Sequence, residues 1–112
     1  LKRRDEAKAQ LQKSIVRAAD NGRLSGQAKL GLGKLLLEGG EKESGLQVLD
    51  EAIGTKGVWG PDAAAAGLLR AHAFESTGDA VSAKREYERV LTGAGAPSQK
   101  QEARHKLGME IR

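Results

Sequence analysis

The sequence predicts an all-α protein built from antiparallel helix–turn–helix repeats, and three observations carry that expectation. An apolar pattern returns about every 38 residues: Ala7-x-x-x-Leu11-x-x-Ser14-Ile15, Gly45-x-x-x-Leu49-x-x-Ala52-Ile53 and Ala83-x-x-x-Tyr87-x-x-Val90-Leu91 superpose. A second set interleaves with it, namely Leu32-Gly33-x-x-Leu36, Ala71-x-x-Phe74 and Leu107-Gly108-x-x-Ile111. Breakers fall between the patterns at Asn21-Gly22, Gly39-Gly40, Gly54 through Pro61, Gly78-Asp79 and Gly93 through Pro97. A period in this range marks a stacked array of small units rather than one closed core. Such arrays more often bind other proteins than do chemistry.

Each element follows from spacing and punctuation. A small residue followed four and seven positions later by apolar ones places all three on one face of a 3.6-residue helix. The breakers then cut the chain into helices over residues 4–19, 25–38, 42–54, 63–77, 80–92 and 98–112. Ser25, Asp62, Asp79 and Ser98 can each accept a bond from the free amides of a first turn. Ser98 with Gln101 also has the spacing of a capping box. No stretch alternates for long and β-branched residues are scarce, so no strand is expected.

A chain of 112 residues makes one domain, here one short repeat segment. With one Trp, one Tyr and one Phe, the core must be Leu, Ile, Val and Ala. Small residues at Gly33, Gly45, Ala71, Ala83 and Gly108 would let paired helices approach closely. Gly inside a helix costs up to ~1 kcal/mol relative to Ala, so these sites imply compensating packing. The chain opens on Leu1 and cuts across a repeat, which reads as a fragment of a longer array.

Composition and motifs exclude several function classes. Without cysteine there are no disulfides or thiolate metal sites, and cytoplasmic and periplasmic settings both fit a soluble chain. No apolar run approaches the ~20 residues of a membrane span, so no membrane insertion is expected. No nucleophile elbow, Walker loop or paired-carboxylate motif appears, so neither an enzyme nor a cofactor is expected. Gly31-x-Gly33 lies inside a helical pattern and is not a phosphate loop, and Gly93 to Pro97 is a connector. His72 and His105 lack a third ligand other than Glu75 nearby, so they read as polar lining rather than a metal site. The net charge of +4 concentrates at Lys2, Arg3, Arg4, Lys8, Lys13 and Arg17. Interleaved Asp5, Glu6 and Asp20, with no aromatic platform, favour a solvated face over a nucleic-acid stripe. Trp59 is read as packing beneath the longer connection, with an anchor for a partner as the alternative.

The residues resemble the tetratricopeptide repeat, a pair of antiparallel helices termed A and B. Leu32, Gly33, Leu36, Gly40, Gly45, Leu49, Ala52 and Ile53 follow its order, as do Ala71, Phe74, Gly78, Ala83, Tyr87, Val90 and Leu91. Leu107, Gly108 and Ile111 open another unit. The resemblance thus divides the chain into an orphan B helix over 4–19, repeats over 25–54 and 63–92, and an orphan A helix over 98–112. Departures are specific. The family period is about 34 residues, its early Trp is replaced by Lys29, Gly67 and Arg104, and Arg70 stands where a Leu belongs. The usual closing Pro is represented only by a displaced Pro97.

The resemblance implies a right-handed superhelical solenoid with A helices on the concave side and a scaffold role in protein or peptide binding. By analogy the groove is formed by Gln27, Leu30, Lys34 and Leu37, then Leu68, His72 and Glu75, then His105 and Met109. This mix of apolar and basic groups suits an extended or helical segment with acidic character. The Lys and Asn set that holds C-terminal carboxylates in some members is missing, because Leu30, His72, His105 and Met109 stand there. The alternatives are a structural spacer or self-assembly through the array ends and, less favoured, an RNA-binding helical repeat.

Overall fold

A computed structural model describes the backbone of residues 2–111 and the side chains of residues 3–108. Among the described residues the chain is all-α, with six helices and no strand. They are α1 (Lys2–Arg17), α2 (Gly22–Glu38), α3 (Lys42–Gly54), α4 (Gly60–Ser76), α5 (Ala80–Thr92) and α6 (Pro97–Ile111). Every expected helix is present; most ends coincide or differ by one residue, and the largest differences, at the starts of α2 and α4, are three residues.

Two of the turns are the same device. Gly40 and Gly78 adopt φ of 82° and 79°, the left-handed region in which glycine avoids a Cβ clash. At the first, Glu41 N–H donates to the Leu36 carbonyl at 2.9 Å and Gly40 N–H to Leu37 at 3.1 Å. At the second, Asp79 N–H donates to Phe74 at 2.9 Å and Gly78 N–H to Glu75 at 3.1 Å. Both are Schellman closures that satisfy the last carbonyls of a helix and reverse the chain.

Helix starts correct three expectations. Asn21, not Ser25, caps α2, its side chain accepting from Leu24 N–H at 3.1 Å, and Ser25 is buried inside the helix. α4 begins at Gly60 after Trp59, with Pro61 and Asp62 in its first turn. α6 begins at Pro97, and Gln99 accepts from Ala96 N–H at 2.8 Å, so the reach-back bond sits two residues before the expected Ser98–Gln101 box. Asp79 behaves as expected, accepting from Ser82 N–H at 3.1 Å.

Consecutive helices pack in pairs, and the backbones of α2–α4 and α4–α6 also approach closely, whereas those of α1–α3 and α3–α5 do not. The Cα extents are 45 × 30 × 18 Å. The shortest is about two helix diameters, given packed helix axes roughly 8–10 Å apart. Two buried seams form the core. One contains Leu49, Ala52 and Ala66 with Leu30, Leu37, Ile53 and Leu69 packed against them. The other joins Ala64, Leu68, Ala71, Ala83, Tyr87, Val90, Ala103 and Leu107, with Phe74 and Leu91 at its edge.

The small residues act at the helix crossings. A Cβ on Gly33 would lie 2.5 Å from Leu49 Cδ2, and one on Gly45 would lie 2.9 Å from Leu37 Cδ2. Leu49 is fully buried and has no space to yield. Gly108 differs, since a Cβ there would meet nothing within 4 Å.

Candidate functional site

Helices α2, α4 and α6 form one continuous wall, because they approach one another as well as their neighbours in the chain. Of the expected wall residues, Gln27, Lys34, His72, Glu75 and His105 are exposed. Leu30 and Leu37 are half-buried against the Leu49 seam, and Leu68 is buried in the Tyr87 seam. These three leucines face inward because their period matches the core stripe, so the accessible wall is polar. Met109 lies outside the residues whose side chains are described.

The wall's middle is held by a polar network that crosses helices. His72 Nε2 lies 2.7 Å from Glu102 Oε2, linking α4 to α6. Glu75 makes a second link, with Lys106 Nζ 3.6 Å from its Oε2. The Tyr87 hydroxyl donates to Glu75 Oε1 at 2.7 Å, tying α5 to the same carboxylate. Burial of the phenol, followed by its bond to the anionic Glu75, pushes the Tyr87 pKa well above its ordinary value. The His72 and Tyr87 rings are 6.3 Å apart and tilted. Lys34, one period before His72, makes no ion pair among the described residues.

Several contributors escaped sequence reasoning. Glu102 and Lys106 carry no local signal, since their partners lie on another helix. Arg70, which replaces the expected Leu, donates from Nε to Glu86 and from its terminal nitrogen to the Leu46 carbonyl. Its guanidinium also lies 5.4 Å from the Phe74 ring centroid. Glu86 is buried and is shared with Arg89, which reaches Asp50 at 3.0 Å. An ionic seam therefore joins α3, α4 and α5 where an aliphatic contact was anticipated.

Trp59 is not buried as expected. It is 48% exposed, and the Arg23 guanidinium lies over its ring at 5.1 Å from the centroid. The indole thus links the start of α4 to α2 by a cation–π contact and leaves an accessible edge.

Among the described residues no group of three His, Cys, Asp or Glu converges as a metal site. No described helix is long and apolar enough to cross a membrane. No protein-family model, curated protein or solved structure matches the chain.

Proposed function

We propose that this chain is a segment of a tetratricopeptide-like solenoid that binds a protein or peptide along the wall of α2, α4 and α6. The observation that carries the reading is an asymmetry between layers. The backbones of α2, α4 and α6 approach one another closely across units, whereas those of α3 and α5 stay farther apart and are bridged by the long Arg89–Asp50 side-chain pair, so an array continued by the same step curves with the A helices inside. Its recurring turn closures at Gly40 and Gly78 support a common step.

The wall offers Gln27, Lys34, His72 and His105 as accessible polar groups. Hydrogen bonding and the free cation at Lys34 favour an extended segment with an acidic residue near that end. His72 and Glu75 are braced by Glu102, Lys106 and Tyr87, which lowers the ordering cost of a bound peptide. No catalytic constellation accompanies these residues, and the role is that of a scaffold.

A peptide selected from a displayed library against the whole chain tests this reading. Lys34→Glu should weaken that peptide about tenfold, equivalent to ~1.4 kcal/mol. Arg17→Glu, on α1, should leave it within about twofold, as expected for a charge outside the contact. Normal binding by Lys34→Glu with loss in Arg17→Glu would remove the wall as the site.

A further inference from the structure

The junction between successive units is built twice, and only the first carries an aromatic side chain that its packing does not use. At the first junction Gly22 lies against the Lys56 carbonyl and Gly26 against Val58. One period on, Gly60 lies against the Ala94 carbonyl and Gly95 against Ala64, so the backbones close in the same way. The equivalents of Trp59 and Arg23 there are Pro97, which is exposed, and Pro61. The Pro61 carbonyl accepts from Gln99 Nε2 at 2.8 Å, so the second junction is complete without an aromatic. At the first junction the same place holds Arg23 over a 48% exposed indole. α2 and α4 flank this pair, with α1 and α6 beyond them. Continuing the array at either end would leave it uncovered.

We propose that Arg23 and Trp59 form an anchor for an acidic side chain of a partner protein, with an apolar neighbour of that acid on the indole. The guanidinium lies 5.1 Å from the ring centroid, held flat by a cation–π contact that leaves its N–H edge free to fork onto a carboxylate. Arg23 makes no ion pair among the described residues, and neither does Lys34. Arg23, Gln27 and Lys34 recur on one face of α2, and all three are exposed. The anchor therefore stands at one end of the wall's α2 stripe, and the proposal rests on the wall reading for its far end. Eleven residues of helix separate the two cations by ~16 Å, which an extended chain covers in about five residues. The partner segment thus carries two acids about five residues apart, one of them beside an apolar residue, with Gln27 offering its amide between them.

The probes are two end-blocked peptides, Glu-Leu-Ser-Gly-Ser-Glu and the same residues in reverse order, so that both chain directions are offered. Trp59 is the single tryptophan, so its emission reports the anchor directly. Titrating the whole chain should shift that emission saturably with one of the peptides. Arg23→Ala should weaken that peptide about tenfold, as for a lost hot-spot arginine. Arg23 is exposed, so the variant should keep its melting temperature. Glutamine in place of the acid beside leucine should weaken binding equally, and the two losses should not add. Amide NMR on the same sample reports Gln27 and Lys34 separately. Shifts there with unmoved Trp59 emission would overturn the anchor and leave the wall standing. A saturable Trp59 shift with Lys34 silent would keep the anchor and remove the wall. No saturable binding of either peptide overturns the proposal, as does additive loss in Arg23→Ala and the glutamine peptide.

Discussion

The two complete helix pairs solve one packing problem with different chemistry. In α2–α3 the seam closes on Leu49, and the backbones approach until Gly33 and Gly45 leave no room for a Cβ. In α4–α5 the equivalent positions are Tyr87, Ala71 and Ala83, so a larger side chain fills a seam lined by methyl groups. The second pair also holds the Arg70–Glu86 contact, whereas Leu32 stands one period before Arg70 and is buried. The lesson is that the two pairs share register, while the volume and the identity of the filling groups differ and the spacing of the helices adjusts to them. That freedom lets the second pair send a hydroxyl and a carboxylate, Tyr87 and Glu75, toward the wall.

The largest expected effect separates a fully buried position from a partly exposed one. Leu49→Ala should cost ~2–5 kcal/mol, because a fully buried leucine leaves a cavity. Leu11→Ala, at the same register on α1 and only partly buried, should cost about 1 kcal/mol or less. Equal losses in denaturant titrations would break the distinction between the two sites.

The ionic seam predicts a different pattern. Glu86→Ala strands Arg70, whose side chain is 17% exposed, and should cost about 2–4 kcal/mol, somewhat less than for a fully buried pair. Replacing both as Arg70→Leu with Glu86→Leu should recover most of that loss, since an apolar pair would then occupy the place that Leu32 suggests. A double variant as unstable as the single one would show that Leu46 and Arg89, rather than the pair, set the energetics.

Much of this organisation was legible in the sequence, and the parts that were not share a cause. The six helices follow from a strong period and from glycine punctuation, both local. The starts of α2, α4 and α6 do not, because their first turns rest on distant segments: those of α2 and α4 on later loops, and that of α6 on Pro61, whose carbonyl accepts from the Gln99 side chain at 2.8 Å. Gly22 lies against the Lys56 carbonyl and Gly60 against the Ala94 carbonyl, one period apart. These glycines look like breakers in the sequence and are instead first-turn residues pressed on a neighbouring connection. The exposure of Lys34, His72 and His105 was legible, but the burial of Leu68 was not, because its place in the core stripe outranks its register on α4. The partners Glu102 and Lys106 depend on how α6 is set against α4. Trp59 was misjudged because Arg23 from α2 gives a half-exposed ring its partner.

Smaller effects test whether the two turns are equal. Gly40→Ala and Gly78→Ala should each cost about 1–2 kcal/mol, the strain of a side chain in the left-handed region. A clear difference between them would show that the two pairs do not share one reversal. The smallest effect is that of Asp79. Its pKa is lowered, first by the Ser82 hydroxyl bond and then by the Ser82 N–H. Its contribution is therefore present above the ordinary value of 3.8 and is lost as pH falls through the lower folded value. The melting-temperature advantage over Asp79→Asn should shrink between about pH 5 and pH 2 and stay flat above.

The most direct test of the binding account is an amide NMR titration with the selected library peptide. The account predicts that the largest shifts fall on Gln27, Lys34, His72 and His105, on three helices that share one wall, while the exposed faces of α3 and α5 stay silent. Shifts confined to α3 and α5, with those four amides unmoved, would contradict it.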